Sequence, residues 1–236
     1  MATNKLEGPL LARYSEKTPP GERTGGRVFD ELPTLNQTRG AALLAVHYNG
    51  ETKQISLESL VGGWDDLRFP ATAVNPPGQA SDPDFDTTRG GWLFDAGGTE
   101  TLFIIGQLPH LYKEGTSIRP HVHWVQENAG DVLWQLDYKW FNNGEAYPAN
   151  FTTIDTTDKA FDYSVNSPQI DICQISAFPE IDGTGMRASS IIVTKFSRIG
   201  GDASDTYTGD ALMIEFDLHY LSDGHGTQLE YVKLDP

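Results

Sequence analysis

The chain has 236 residues, a mass of 26.0 kDa and a formal net charge of −16, from 17 Lys and Arg against 33 Asp and Glu. So acidic a chain repels a phosphate backbone, which excludes a simple nucleic-acid-binding protein. Its single cysteine, Cys173, excludes internal disulfides and a cysteine-based zinc site. Neither a signal-peptide core of about 7–15 apolar residues nor a run of about 18 apolar residues occurs, so we expect no membrane partner and assembly in the cytosol.

Residues 1–40 are rich in Pro and Gly and show no apolar periodicity, which predicts an extended N-terminal arm. A disordered tail is the alternative. Apolar side chains spaced along the segment favour an arm that gains order by docking on another protein, since a solvated tail has little use for them. The candidate partner-binding residues are Leu10, Leu11, Tyr14, Val28, Phe29 and Leu32.

Residues 41–62 predict a β-hairpin that anchors the chain. Two strand-like runs flank Asn49-Gly50, a pair that favours the type I′ turn because both of its central residues need positive φ angles. An isolated hairpin is marginally stable in water, so this one must pack on the following domain or on another subunit.

Residues 63–236 predict a single all-β domain. In Asp131–Phe141 and in Ala211–Leu221 apolar and polar residues alternate, as in half-buried antiparallel strands, with Leu136 and Ile214 among the residues expected to face inward. Several such strands around one core imply an antiparallel β-sandwich or jelly roll, or else a small barrel. The run that contains Cys173 also alternates, so we expect this thiol to be a small buried apolar group. The further candidate strands are Thr101–Leu108, Ile118–Glu127, Ile170–Phe178, Ser189–Arg198 and Gln228–Lys233.

The clearest local motif is Pro120-His-Val-His-Trp124, followed by Glu127. Two His at i and i+2 project from one face of a strand, and Glu127 falls on the same face, so the three side chains could bind one divalent metal. Together with Gly115 this spacing resembles the first cupin motif, whereas the second cupin motif has no counterpart in the chain. The competing interpretation makes His121 and His123 a structural or surface pair, because the sandwich core needs the intervening apolar residues. We favour that interpretation and expect no metal and no cofactor.

A set of sequence blocks resembles tailed-bacteriophage virion proteins. The blocks fall between residues 41 and 140: Gly63–Pro70 (GWDDLRFP), Ile105–His110 (IGQLPH), Lys113–Gly115 (KEG), Pro120–Trp124 (PHVHW) and the predicted hairpin. The resemblance implies a non-enzymatic structural protein of the virion and brings no catalytic residues with it. A β-rich chain without cysteine pairs, assembled in a reducing cytosol, fits that implication.

We therefore expect a capsid decoration protein that sits on the virion, favours a homotrimer and binds the major capsid protein or other virion proteins through its N-terminal arm. A tail, neck or fibre-attachment component is the alternative within that class. A cupin-type metalloenzyme using His121, His123 and Glu127 is the alternative from another class. A third is a carbohydrate-binding β-sandwich with Trp64, Trp92 and Tyr147 as a stacking platform.

Overall fold

The structure is a computed structural model that describes residues 43–48, 51–56, 62–157, 170–224, 226–230 and 233. The chain divides into two compact units, residues 1–60 with 235–236, and residues 61–234. The candidate partner-binding residues of the predicted arm lie outside the described residues: Leu10, Leu11, Tyr14, Val28, Phe29 and Leu32.

In the first unit, strands β1 (Leu43–Tyr48) and β2 (Glu51–Ser56) pair antiparallel. Their register runs from Leu43 opposite Ser56 to Tyr48 opposite Glu51, so a two-residue connection joins them. That length matches the Asn49-Gly50 pair from which the hairpin was predicted.

The second unit is an all-β antiparallel sandwich of the jelly-roll type, which confirms the predicted fold class. The only helical element in the described ranges is one 3-10 turn at Ala71–Ala73, and no helix there is long and apolar enough to span a membrane. The strands are β3 (Gly63–Pro70), β4 (Asp84–Asp86), β5 (Gly91–Phe94), β6 (Thr99–Gln107), β7 (Arg119–Val125), β8 (Trp134–Phe141), β9 (Thr152–Asp155), β10 (Gln174–Ala177), β11 (Ile191–Ile199) and β12 (Ala211–Ser222).

These strands form two sheets. The first has the order β10-β7-β12-β5-β4, and β3 pairs with the second half of β12 on the side that β5 occupies along its first half. The second sheet has the order β6-β11-β8-β9. Strand β12 therefore lies in the interior of its sheet, between β7 and the two shorter strands, and positions the side chains of both neighbours.

The core lies between the two sheets and is largely aromatic. Trp134 and Phe196 of the second sheet stack with ring centroids 4.9 Å apart. Across the interface, Trp124 meets Trp134 at 5.6 Å and Phe216 meets Phe196 at 5.6 Å. All four rings are at most 4% exposed. Leu136, which the alternation placed inward, is also fully buried, so the predicted core face of β8 is confirmed.

For the first half of β12, the sequence predicted the wrong residues to face the core. A β-bulge between Met213 and Glu215 shifts the register, so Met213 enters the core whereas Ile214 is only half-buried. Beyond the bulge the predicted alternation is confirmed at Phe216 and Leu218. A bulge adds one residue to one strand and so reverses which face the later residues occupy.

The environment predicted for Cys173 is wrong as well. Strand β10 covers only Gln174–Ala177, and Cys173 precedes it in an exposed stretch. Ile172 in the same stretch is 52% exposed. Strand alternation therefore does not extend to these residues, and the thiol does not fill a core position.

A buried ion pair links the end of β11 to the loop after it. Arg198 and the side chain of Asp205 are both fully buried, and the guanidinium donates to both carboxylate oxygens at 2.8 and 2.9 Å. Its remaining hydrogens go to the carbonyl oxygens of Phe94, Gly209 and Tyr207. All five donors of the guanidinium are thus used, which is what a buried arginine requires.

Candidate functional site

The candidate site lies on the outer face of the first sheet. Alternation along β7 directs Val122 and Trp124 into the core and His121 and His123 to the opposite face. This is the arrangement expected if the apolar residues of the motif fill the core of a sandwich. The pair is therefore held by a strand whose other face is fixed by packing.

Strand β12 brings the next members of the site. After the bulge, Phe216 and Leu218 face the core, so Asp217 and His219 face outward. Asp217 stands opposite His121 in the antiparallel register. Strand β3, on the other side of β12, places Asp66 opposite His219. We call the outward-facing set His121, His123, His219, Asp66 and Asp217 the histidine face.

Asp217 is the centre of the histidine face. One of its oxygens, Oδ2, lies 2.9 Å from His123 Nε2 and 3.3 Å from His121 Nε2. The Asp217 residue is only 3% exposed, whereas the imidazoles are 13% and 27% exposed for His121 and His123. The carboxylate thus forms the floor of a shallow site, and the two rings form its rim.

A second pair lies beside this centre. Asp66 Oδ1 is 3.0 Å from His219 Nδ1, and the His219 ring is 6.0 Å from that of His121. His121 therefore belongs to two groups of potential metal ligands, one with His123 and Asp217 and one with Asp66 and His219. In both groups the ligand atoms lie within 4.8 Å of one another.

The pKa values follow from these contacts. Burial raises the pKa of Asp217, but hydrogen bonds from His121 and His123 and their charges outweigh burial and hold it at about 2. The hydrogen bond to Asp217 raises the pKa of His123 above its ordinary value, against the opposing effect of burial. The group therefore favours an ionised carboxylate with a protonated His123 when nothing else is bound.

Two arginines that stand opposite members of the histidine face in the strand register bind other carboxylates. Arg68 stands opposite Asp217 in the strand register, yet its guanidinium binds Glu215 through two bonds of 2.7 and 2.8 Å. Arg119 bonds Glu180 at 2.6 Å and lies over the Trp64 ring. The contacts of Asp217 go instead to imidazoles, which carry a charge only when they are protonated, whereas arginine is always charged.

One oxygen of Asp217 is left without a partner. Oδ1 is buried and accepts no hydrogen bond from the described residues. An unsatisfied buried acceptor costs about 1–3 kcal/mol, and more when it is charged. Native proteins rarely keep such a group without a reason, and a bound ion is one of the usual reasons.

The structure does not bring Glu127 to this site. Strand β7 ends at Val125, and Glu127 lies beyond it, where its carboxylate accepts a 2.6 Å bond from Arg89. The i+4 spacing placed Glu127 beside the histidines only on the assumption that the strand continues. The carboxylate that does lie there, Asp217, is far away in the chain. Its outward direction could be read from the alternation of β12, but its pairing with β7 could not.

The three aromatic residues suggested as a carbohydrate platform are separated. Trp64 lies on the outer face of the first sheet, next to His219. Trp92 packs against the core and donates its indole hydrogen to the Ala71 carbonyl oxygen at 2.7 Å. Tyr147 lies beneath Lys139 on the outer face of the second sheet. These residues do not form one stacking surface.

A pocket of about 440 Å³ lies elsewhere, beside β6 and the 3-10 turn. It is mainly apolar and has no acid, base or nucleophile among its lining residues, which include Phe69, Val74, Phe103 and Ile105. The described chemistry of the sandwich is therefore concentrated on the histidine face and not in this pocket.

No family model and no curated protein matches the chain. Among solved structures it is similar to TmCBM61, determined in complex with beta-1,4-galactotriose. The identity is 16%, the TM-score is 0.27, and the match covers 67% of this chain and 86% of that one. Likeness at this level does not carry the ligand of TmCBM61 over to this protein.

Proposed function

We propose that the protein is a non-enzymatic structural component of a tailed-bacteriophage virion, a capsid decoration protein that binds the shell through residues 1–62. In this role the sandwich is displayed on the particle, and the major capsid protein is the partner. A homotrimer is the favoured state. The acidic surface suits a protein outside the shell better than one that lines packaged DNA.

The observation that carries the proposal is the division of the chain. Among the described residues, the core cluster of the sandwich runs from Ala71 to Tyr220, and residues 1–60 with 235–236 form a separate compact unit. Apolar side chains spaced along residues 1–40 are what a segment that docks on a partner needs. A two-stranded hairpin is marginally stable by itself in water, so docking on the shell would stabilise it.

Two of the blocks that resemble virion proteins lie close together in the fold. WDDLR forms the first half of β3, and PHVHW forms most of β7, the two strands that flank β12. They supply Asp66, Arg68, His121 and His123 to one outer face. These two blocks therefore include surface residues as well as core residues, as expected if that surface has a function on the particle.

The test uses capsids that lack the protein and the full chain in two versions. In the first, the six apolar residues of the arm are replaced by Ser: Leu10, Leu11, Tyr14, Val28, Phe29 and Leu32. In the matched control, the exposed apolar residues Ile105 and Leu111 of the sandwich are replaced by Ser. We expect the control to co-sediment with capsids and the arm variant to stay in solution. Equal binding by both would overturn the anchoring role.

Cryo-electron microscopy of the assembled particle distinguishes the two virion locations. Density for the sandwich on the head shell is the expected result. Density on the tail, neck or fibre attachment point would replace the decoration role by the alternative within the same class. Absence from the purified particle would reject both.

A further inference from the structure

We propose that the histidine face is a metal site, in which His121 Nε2, His123 Nε2 and the Asp217 carboxylate bind one divalent transition-metal ion of the zinc type. The inference goes beyond the virion role and does not depend on it. It rests on the ligand chemistry, the spacing of the ligand atoms and the unsatisfied oxygen of Asp217.

The ligand types select the class of metal. Imidazole suits zinc and the neighbouring first-row ions, whereas calcium and magnesium prefer oxygen ligands alone. Two imidazoles with one carboxylate form a three-ligand set that occurs at zinc sites with an open coordination position. The site contains no thiolate, so it does not resemble a structural zinc knuckle.

The spacing already approaches that of a coordination sphere. With metal–ligand distances of about 2.0–2.2 Å, two ligand atoms of a tetrahedral site are about 3.4 Å apart. The separations from Asp217 Oδ2 are 2.9 Å to His123 Nε2 and 3.3 Å to His121 Nε2, and all three ligand atoms lie within 4.8 Å of one another. Binding therefore requires small movements of these side chains and the loss of the hydrogens that now join the atoms.

The buried oxygen is an independent observation. Asp217 Oδ1 has no hydrogen-bond partner among the described residues, although the Asp217 residue is only 3% exposed. A cation at the centre of the site would bring charge compensation to the whole carboxylate, including this oxygen. Backbone pairing of β12 on both sides holds Asp217 in place, so the protein cannot relieve the oxygen by turning it to solvent.

The neighbouring arginine side chains pair with other carboxylates, so a cation from solution can bind Asp217. The nearest arginine in the register, Arg68, is held by two bonds to Glu215, and Arg119 is held by Glu180. The imidazole rim is partly exposed, so an ion can enter from solvent. The Asp66 carboxylate lies near His121 on the same face and adds negative charge near the site.

The experiment titrates Zn²⁺ into the full chain after removal of metals with a chelator, followed by calorimetry and by elemental analysis of the dialysed protein. We expect one ion per chain. His123→Gln should weaken binding by at least about 100-fold, more than the 10–100-fold typical of losing a residue that only supports a ligand. The control is His110→Gln, because His110 is partly buried but bonds the Thr227 carbonyl oxygen and Ser189, away from the site. It should bind Zn²⁺ as the unmodified protein does.

Two further variants keep the result decisive. Asp217→Asn should also lose binding, and circular dichroism without metal shows whether it folds; if it does not, His123→Gln, at a more exposed position, carries the test. His219→Gln should weaken binding by less than about 10-fold. The proposal is wrong if His123→Gln binds as tightly as the control variant, if several weak sites replace the single one, or if His219→Gln alone abolishes binding.

A second experiment uses Co²⁺ as a spectroscopic probe. The visible absorption of a tetrahedral Co²⁺ site should appear with the unmodified protein and should be lost in His123→Gln.

Discussion

Asp205 and Asp217 are both carboxylates withdrawn from solvent, and their surroundings differ completely. Asp205 binds the fully buried Arg198 through both oxygens and accepts a further bond from the Leu133 amide. Asp217 uses one oxygen for two imidazoles, and its other oxygen has no partner. A completed network stabilises one conformation, whereas an incomplete one leaves free energy that a ligand can recover. The comparison identifies Asp205 as structural and Asp217 as a candidate binding group.

The largest effect is expected at the completed network. Arg198→Met leaves the Asp205 carboxylate buried without its cation, so the free energy of unfolding should fall by about 3–5 kcal/mol. The control is Arg89→Met, because Arg89 is partly exposed and pairs with Asp86 and Glu127 near the surface. It should cost no more than about 1 kcal/mol. Urea unfolding measures both, and equal losses would mean that the buried pair contributes no more than a surface one.

The next largest effect is expected in the core between the two sheets. Leu136→Ala removes a fully buried side chain and should cost about 2–5 kcal/mol through lost burial and the cavity it leaves. Gln135→Ala, one residue earlier on the opposite face of β8, should change stability by less than about 0.5 kcal/mol. If the two substitutions cost the same, the outer face of β8 is covered, for example by another subunit. Repeating the pair on assembled particles would show that directly, because a ligand or partner that binds only the folded state adds to its stability.

More of the fold than of the site could be predicted from the sequence. The fold depends largely on local alternation along each strand, whereas the site depends on pairing between strands that are distant in the sequence. Alternation along a strand is local, so the inward position of Leu136 and the outward position of His121 and His123 followed from the sequence. The bulge at Ile214 and the early end of β7 could not be predicted, because they depend on how neighbouring strands pair. Glu127 was misplaced for that reason.

Long-range pairing also explains what was missed. Asp217 meets His121 only because β12 lies beside β7 in one particular register. A shift of that register by one residue would turn Asp217 into the core, and no local pattern in the sequence specifies the partner strand. The outward direction of His219 could be read from the alternation, but its hydrogen bond to Asp66 of β3 could not.

A smaller effect is expected when Asp217 itself is replaced without metal. Asp217→Leu removes the unsatisfied oxygen together with the charge that the imidazoles stabilise, and it leaves two imidazoles that remain partly hydrated, so it should cost about 1–2 kcal/mol. The same substitution at Asp205 strands the Arg198 guanidinium and should cost about 3–5 kcal/mol. Chemical denaturation of the two variants in the presence of a chelator makes the comparison. A loss at Asp217 as large as that at Asp205 would show that the histidine face is a structural network after all.

The smallest effect concerns the pH dependence of the metal-free protein. In the folded chain the pKa of Asp217 is about 2, below its ordinary value of 3.8. The stability that ionised Asp217 contributes is therefore present above about pH 4 and is lost as the pH falls towards 2. Hydrogen bonds from His121 and His123, together with their charges, are what lower the pKa of Asp217 against the effect of burial.

Replacing His121 and His123 by Gln removes those charges and leaves burial, which alone raises the pKa of Asp217. In the double variant the pKa should then lie above 3.8, and acid should no longer remove this contribution between about pH 4 and pH 2. Carboxyl NMR titration of Asp217 with a chelator present measures the shift, and His110→Gln serves as the control because it removes an imidazole that bonds Thr227 and Ser189. An unchanged pKa in the double variant would mean that the imidazoles do not hold the Asp217 charge. The contrast with Asp205, which pairs with the Arg198 guanidinium through both oxygens, would then lose its physical basis.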